Sequence, residues 1–153
     1  MVIAIIGESC TGKSSIAGEL AKRTNARVFT GKDYMQLARS EANAKKQFIE
    51  LLGAHEASDD WIVYVITETE HLSFLPPKAL RILVTADLGA IKERFANRMG
   101  GNLPPPVAAM LERNHGMFDD EKHDLRIENV GKSISGICDR IVAMISSPGL
   151  PEA

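Results

Sequence analysis

Eight residues near the start of the chain carry its sharpest chemical signal: Gly7-Glu8-Ser9-Cys10-Thr11-Gly12-Lys13-Ser14. They satisfy G-x-x-x-x-G-K-[ST], the Walker A phosphate-binding pattern, at every fixed position. A polyphosphate needs several donors converging on it, so the backbone must curl with its N–H groups inward. Gly7 and Gly12 permit that curl because they lack a Cβ. The loop then opens a helix, whose N-terminus adds free N–H groups and partial positive charge. Lys13 supplies a point charge for the β and γ phosphates, Ser14 offers a hydroxyl to Mg²⁺, and Ser15 extends the phosphate-contacting set. Average residue frequencies give roughly 3–4 chance hits per 100,000 starting positions, so the pattern implies binding of ATP. Lys13 is expected as a charge on a solvent-facing loop. Cys10 lies inside the loop ahead of a helix N-terminus, which predicts a reactive, accessible thiol, whereas Cys138 on an apolar stripe is expected to be inert.

Two further sets of residues have the types that phosphoryl transfer uses. Lys92, Arg94 and Arg98 fall on one predicted helix and Arg113 on the next, separated by Gly100-Gly101-Asn102-Leu103-Pro104-Pro105-Pro106. A mobile flap bracketed by arginines would stabilise charge on a moving phosphoryl group and keep water out. Arg98 and Arg113 flank the break and are read as that pair. Lys92 is read as a solvated partner of Glu93 and Glu112. The acidic set is sparser. No Asp follows the third strand, which ends Ile66-Thr67-Glu68-Thr69-Glu70. Glu68 is either a Mg²⁺ ligand or a surface loop residue. Asp33 either orients and deprotonates a substrate hydroxyl or caps a helix. His55 and His71 read as loop residues, and His115 and His123 near Asp119, Asp120 and Asp124 as solvated turn residues rather than a metal site.

Strands and helices alternate along the chain, in the order needed to position these residues. Apolar β-branched runs predict strands at 2–6, 26–30, 61–66, 80–84 and 125–128. Helical periodicity predicts helices at 14–24, 33–52, 88–99, 106–114 and from Ser133 onward, with Gly53 ending the second and Gly116 closing the fourth. Such alternation means a parallel sheet covered on both faces. The expected organisation is one domain over 1–146, a lid at about 99–123 and a loose tail at 147–153.

Length and composition narrow the class. At 153 residues, 44% apolar and 25% charged, the chain matches a soluble globular protein, and its longest apolar runs are far too short to span a bilayer. A net charge of −2 argues against nucleic acid or a membrane surface as the main partner. Met1 runs into the loop without a basic segment or cleavage site, so no secretory signal is read there. Two cysteines make no disulfide framework, which fits a cytoplasmic setting.

The chain resembles the small P-loop kinases of the nucleoside monophosphate kinase group, including adenylate, cytidylate and shikimate kinases. Element order carries the likeness over nearly the whole length. At residue level, Thr30-Gly31-Lys32-Asp33-Tyr34-Met35-Gln36-Leu37-Ala38 is similar to the cytidylate kinase segment Thr-Gly-x-x-Tyr-Arg-x-Leu. Met35 stands where those enzymes have an acceptor-contacting Arg, and Phe29 where they have Asp. Arg94, Arg98 and Arg113-Asn114 are similar to the family's lid arginines and Arg-Asp motif. Asn129-Val130-Gly131-Lys132 is similar to the loop that packs on adenine, which implicates Gly131 and Lys132. The resemblance implies an α/β three-layer P-loop kinase fold with a five-stranded parallel sheet, helices on both faces and a short lid. It implies an ATP- and Mg²⁺-dependent kinase, monomeric or weakly dimeric, acting on a nucleoside monophosphate or nucleoside. Two alternatives stay open: a kinase of shikimate or a sugar acid, and an ATP-binding switch with little turnover.

Overall fold

Short apolar runs assemble one parallel sheet from β1 (Val2–Ile6), β2 (Arg27–Thr30), β3 (Ile62–Ile66), β4 (Leu80–Thr85) and β5 (Leu125–Glu128), in the order β2-β3-β1-β4-β5. The computed structural model describes residues 1–146, so the tail expected at 147–153 lies outside the described residues. Five α-helices connect or follow the strands: α1 (Lys13–Thr24), α2 (Glu41–His55), α3 (Leu88–Arg98), α4 (Pro105–Asn114) and α5 (Ile134–Ile145). Among the described residues, no helix is long and apolar enough to cross a membrane.

The two-residue period of the central strands sorts the core into two layers. Ile3, Ile5, Val63, Val65, Ile82 and Val84 face Ile16, Ala17 and Leu20 of α1 and Ile137, Cys138 and Ile141 of α5. Val2, Ala4, Ile6, Ile62, Tyr64 and Ile66 face the other way, onto Ala44, Phe48 and Leu52 of α2. Both faces are therefore covered, and β1 is buried at every position. Each fully buried Ile contributes roughly 1.5–3 kcal/mol relative to exposure. A smaller cluster sits beside the phosphate loop, where Ala86, Ile91 and Leu111 of the α3–α4 region meet Cys10.

Parallel register brings the functional segments to one edge. Ile6 of β1 pairs with Ile66 of β3 and Leu83 of β4, so β1 and β3 end together beneath the phosphate loop while β4 runs on to Thr85. Gly7 N–H donates to Ile66 O at 3.1 Å, tying the loop's first residue to β3.

The helix expected over 33–52 is two elements. Asp33–Leu37 is a 3₁₀ turn, Ala38 is extended at φ −154°, and α2 starts only after Ser40. Ser40 Oγ accepts from Asn43 N–H at 3.2 Å and is the true cap, while the Asp33 carboxylate accepts from Thr30 N–H at 2.8 Å. Gly53 lies inside α2 rather than ending it. A second 3₁₀ turn, Thr69–Phe74, follows β3 and buries His71 and Phe74. His71 is thus a core residue, in place of the loop residue expected. It stacks on Phe74 at 5.7 Å between ring centroids and meets the edge of Tyr34 at 6.1 Å.

Candidate active site

The phosphate loop is shaped by two close approaches. A Cβ on Gly7 would lie 2.3 Å from the carbonyl oxygen of Val84, and one on Gly12 would lie 2.3 Å from Asn129 Nδ2. Gly12 also has φ +91°, which favours glycine further. Three loop carbonyls are held by donors from the chain. Thr11 Oγ1 and Lys13 Nζ donate to Glu8 O. Arg94 Nη1 donates to Cys10 O at 3.0 Å, and Asn129 Nδ2 to Thr11 O at 2.8 Å. Arg94 Nη2 also donates to Asn129 O at 2.6 Å, so Arg94 and Asn129 brace each other as well as the loop. With its carbonyls engaged in this way, the loop has N–H groups to offer an anion. Ile16 N–H, donating to Gly12 O at 3.1 Å, makes the first helical bond of α1, which leaves the amides of Lys13, Ser14 and Ser15 outside the helical ladder.

Lys13 is not on a solvent-facing surface, as the sequence suggests. Its residue is 5% exposed, with the ammonium folded over the Glu8 carbonyl. Burial is the main cause that pushes its pKa down from 10.5 to about 8; Cys10 opposes it, Arg98 lowers it further, and Glu8 raises it least. Arg98 is therefore near enough to act on the same volume. Cys10 also departs from expectation. Its φ is +64°, its side chain packs in the cluster with Ala86, Ile91 and Leu111, and it is 4% exposed. Its side chain acts as a small hydrophobe there.

A cavity of about 440 Å³ opens beside the loop, lined by Cys10, Gly12, Ser15, Arg94, Asn97, Arg98, Asn129, Lys132 and Ile134. Ser15, Arg94, Arg98 and Lys132 thus line one cavity, with Gly131 next to Lys132 in the chain. Ser14 and Ser15 are exposed on the first turn of α1. A second cavity of about 390 Å³ lies across the loop, lined by Glu8, Asp87, His115, Asp119, Arg126 and Glu128 among others. There His115 Nδ1 is 3.1 Å from Glu8 Oε1, linking the end of α4 to the loop. Arg113 lies exposed on the last turn of α4 and lines neither cavity.

On the other side of the loop, beyond β2 and β3, the rim is acidic. Asp33, Glu68 and Glu70 are exposed there, and the charges of all three act on Tyr64. Burial is the main reason the Tyr64 phenol is pushed up, and it remains a donor to Gly31 O at 2.8 Å. The loop brace formed by Asn129 and the buried His71 both escape sequence reading. An Asn immediately after a strand, close to Gly131, is the signal available for the first.

No protein-family model matches the chain, and no curated protein matches it. Solved structures do. A shikimate kinase from Acinetobacter baumannii in complex with shikimate superposes with a TM-score of 0.67 at 14% identity, covering 97% of this chain and 94% of that one. A gluconokinase from Sinorhizobium meliloti gives 0.63 at 15% identity, over 95% and 91%. The YorR protein in complex with phosphorylated GDP from Bacillus subtilis gives 0.64 at 18%, over 95% and 96%. Together with the loop, these likenesses define the architecture: a three-layer α/β fold of the P-loop kinase type on a five-stranded parallel sheet.

Proposed function

We propose that the protein is an ATP-dependent phosphotransferase that moves the γ-phosphoryl group to a hydroxyl of a small acceptor. The observation that carries this reading is the complete phosphate loop, braced by Arg94 and Asn129 at the strand-end edge of the sheet. Loop amides and Lys13 would hold the phosphates, with the ammonium leaving Glu8 O for them. Arg94, Arg98, Gly131 and Lys132 lie on the same side and would receive the rest of the nucleotide. Ser14 presents an exposed oxygen donor at the first turn of α1, which suits Mg²⁺, an ion that takes few protein ligands and leaves the remainder to phosphate and water. Held by Ser14, the ion would supply positive charge to offset that of the terminal phosphates. Glu68, the other expected ligand, groups instead with Glu70 and His71.

Charge is divided across the loop, and this bears on the acceptor. Arginines and Lys132 line the side beyond β4 and β5, whereas Asp33, Glu68 and Glu70 line the rim beyond β2 and β3, with Lys32 and Lys45 near enough to act on Glu70. An acidic rim with exposed Met35 and no arginine among its residues suits a hydroxyl-bearing acceptor better than a second phosphate. This favours the hydroxyl of a neutral polyol over an anionic acceptor such as a nucleoside monophosphate. Asp33 would orient the acceptor hydroxyl through the carboxylate oxygen not engaged by Thr30 N–H. Residues 99–123 would form the lid, with Arg98 just before it and Arg113 within it.

An ADP-release screen over monophosphates, nucleosides, shikimate and sugar acids tests the reading. Stimulation over the water background by a hydroxyl acceptor supports it. If ATP binds and no acceptor stimulates turnover, the protein is an ATP-binding switch instead.

A further inference from the structure

The 3₁₀ turn that leaves β3 carries a cluster the phosphate loop does not use. Glu68, Glu70 and His71 each bring one ligand-type atom to within 4.8 Å of the others. Two exposed glutamates alone would mean little, but His71 changes the picture. It is 2% exposed, and neither of its ring nitrogens has a hydrogen-bond partner. Buried polar atoms almost always find a partner, so an orphaned imidazole marks a missing one. Its Nε2 faces Glu70 Oε1 at 3.8 Å and Glu68 Oε2 at 4.0 Å. Those separations are too long for hydrogen bonds. Two donors on one tetrahedral ion, with metal–donor bonds of about 2.0–2.2 Å, lie about 3.3–3.6 Å apart, so a shift of less than about an ångström in the exposed glutamate side chains would bring these oxygens and Nε2 onto one ion. The ring's orientation is set independently of any ligand, by Phe74, Tyr34 and Tyr64 packed around it.

We propose that Glu68, Glu70 and His71 form a binding site for one first-row divalent transition-metal ion, with Zn²⁺ the best match. An imidazole with two carboxylates is a donor set for Zn²⁺ and its neighbours, whereas Mg²⁺ and Ca²⁺ take oxygen ligands. Three protein donors leave a tetrahedral ion one position for water or a small-molecule oxygen. The ion would neutralise both carboxylates and clamp the turn Thr69–Phe74 beside the end of β3. The site contains no residue of the phosphate loop, so its existence does not depend on the nucleotide reading.

The test is metal binding to the full chain, stripped of metal and free of nucleotide. Co²⁺ is titrated in while its visible d–d absorption is followed, then Zn²⁺ is added. The expected result is one Co²⁺ per chain, displaced by Zn²⁺ and not by excess Mg²⁺. Glu68→Gln with Glu70→Gln alters two exposed positions and preserves the fold. It should weaken binding by at least about 100-fold, since loss of a direct ligand outweighs loss of its supporting partner. His71→Gln should do the same, with circular dichroism checking its fold. Lys13→Met should bind Co²⁺ as the parent protein does while losing ATP, so failure at one site is distinguishable from failure at the other. Absence of a saturable d–d band in the parent protein overturns the proposal, as does unchanged binding in the glutamine double variant; His71 is then simply a buried residue of the aromatic cluster.

Discussion

Lys13→Met should make the ligand-free protein more stable while removing its capacity for ATP. The lysine is 5% exposed, and burial with the nearby charge of Arg98 lowers its pKa from 10.5 to about 8. That drop corresponds to about 3 kcal/mol favouring the neutral amine over the ammonium. Below pH 8 the lysine is charged in both folded and unfolded chains, so the folded state carries this cost in full. Methionine is of similar length and unbranched, and it fills the space without the charge. Its loss of the bond to Glu8 O costs about 1–2 kcal/mol. The cost is limited because Thr11 Oγ1 still donates to that carbonyl at 2.9 Å. The net expectation at pH 7 is a gain of about 1–2 kcal/mol, or about 2–8 °C in Tm for a chain this size. Between pH 8 and 10.5 the unfolded parent chain holds a proton that the folded one has released. The parent therefore gains stability relative to the variant as pH rises through that window. Thermal and urea unfolding of both proteins from pH 6.5 to 10.5 measures the difference, in which all other titrating groups cancel. A variant less stable at pH 7, with a gap that does not move with pH, would refute the argument that Lys13 is strained by burial.

Arg94→Ala should lower ATP affinity and cost about 1–3 kcal/mol of stability, because it releases Cys10 O and Asn129 O together; calorimetry and urea unfolding check both. Arg98→Ala should lower turnover about 10²–10³-fold with a smaller change in ATP affinity, as expected of charge stabilisation made in the transition state. Arg113→Ala should lower turnover only through a lid closure that carries α4 onto the phosphates, and parent-like kcat would assign Arg113 to the surface. Cys10 should resist brief alkylation in the native protein as Cys138 does, both being buried, and peptide mapping that finds rapid labelling of Cys10 would contradict its packing against Ile91 and Leu111.

What the sequence makes legible is what local chemistry decides. The β-branched run of β1, the glycines of the loop and the stripe of α5 each specify their element without distant help, and all lie where periodicity puts them. Residues 33–52 are harder, because Asp33 and Ser40 both have capping chemistry and Leu37 continues the helical period across the extended Ala38. The choice falls to Thr30 N–H, which takes the Asp33 carboxylate. Side-chain direction is harder still. Cys10 has a positive φ inside the loop, and Lys13 folds back over the Glu8 carbonyl while feeling the charge of Arg98, more than eighty positions away in the chain. His71 depends on rings contributed by residues 34, 64 and 74, and Asn129 reaches the loop from the far edge of the sheet. Arg94 is visible as a site cation, but its grip on two carbonyls is a long-range fact that spacing does not encode.

The central claim is that Gly7 to Ser14 is a working ATP site. Titration of Mg-ATP into the parent protein and into Lys13→Met by calorimetry at pH 7 tests it most directly. Saturable binding of one nucleotide per parent chain, abolished in the folded variant, is the predicted result; no binding to the parent, or equal affinity in both proteins, would contradict it.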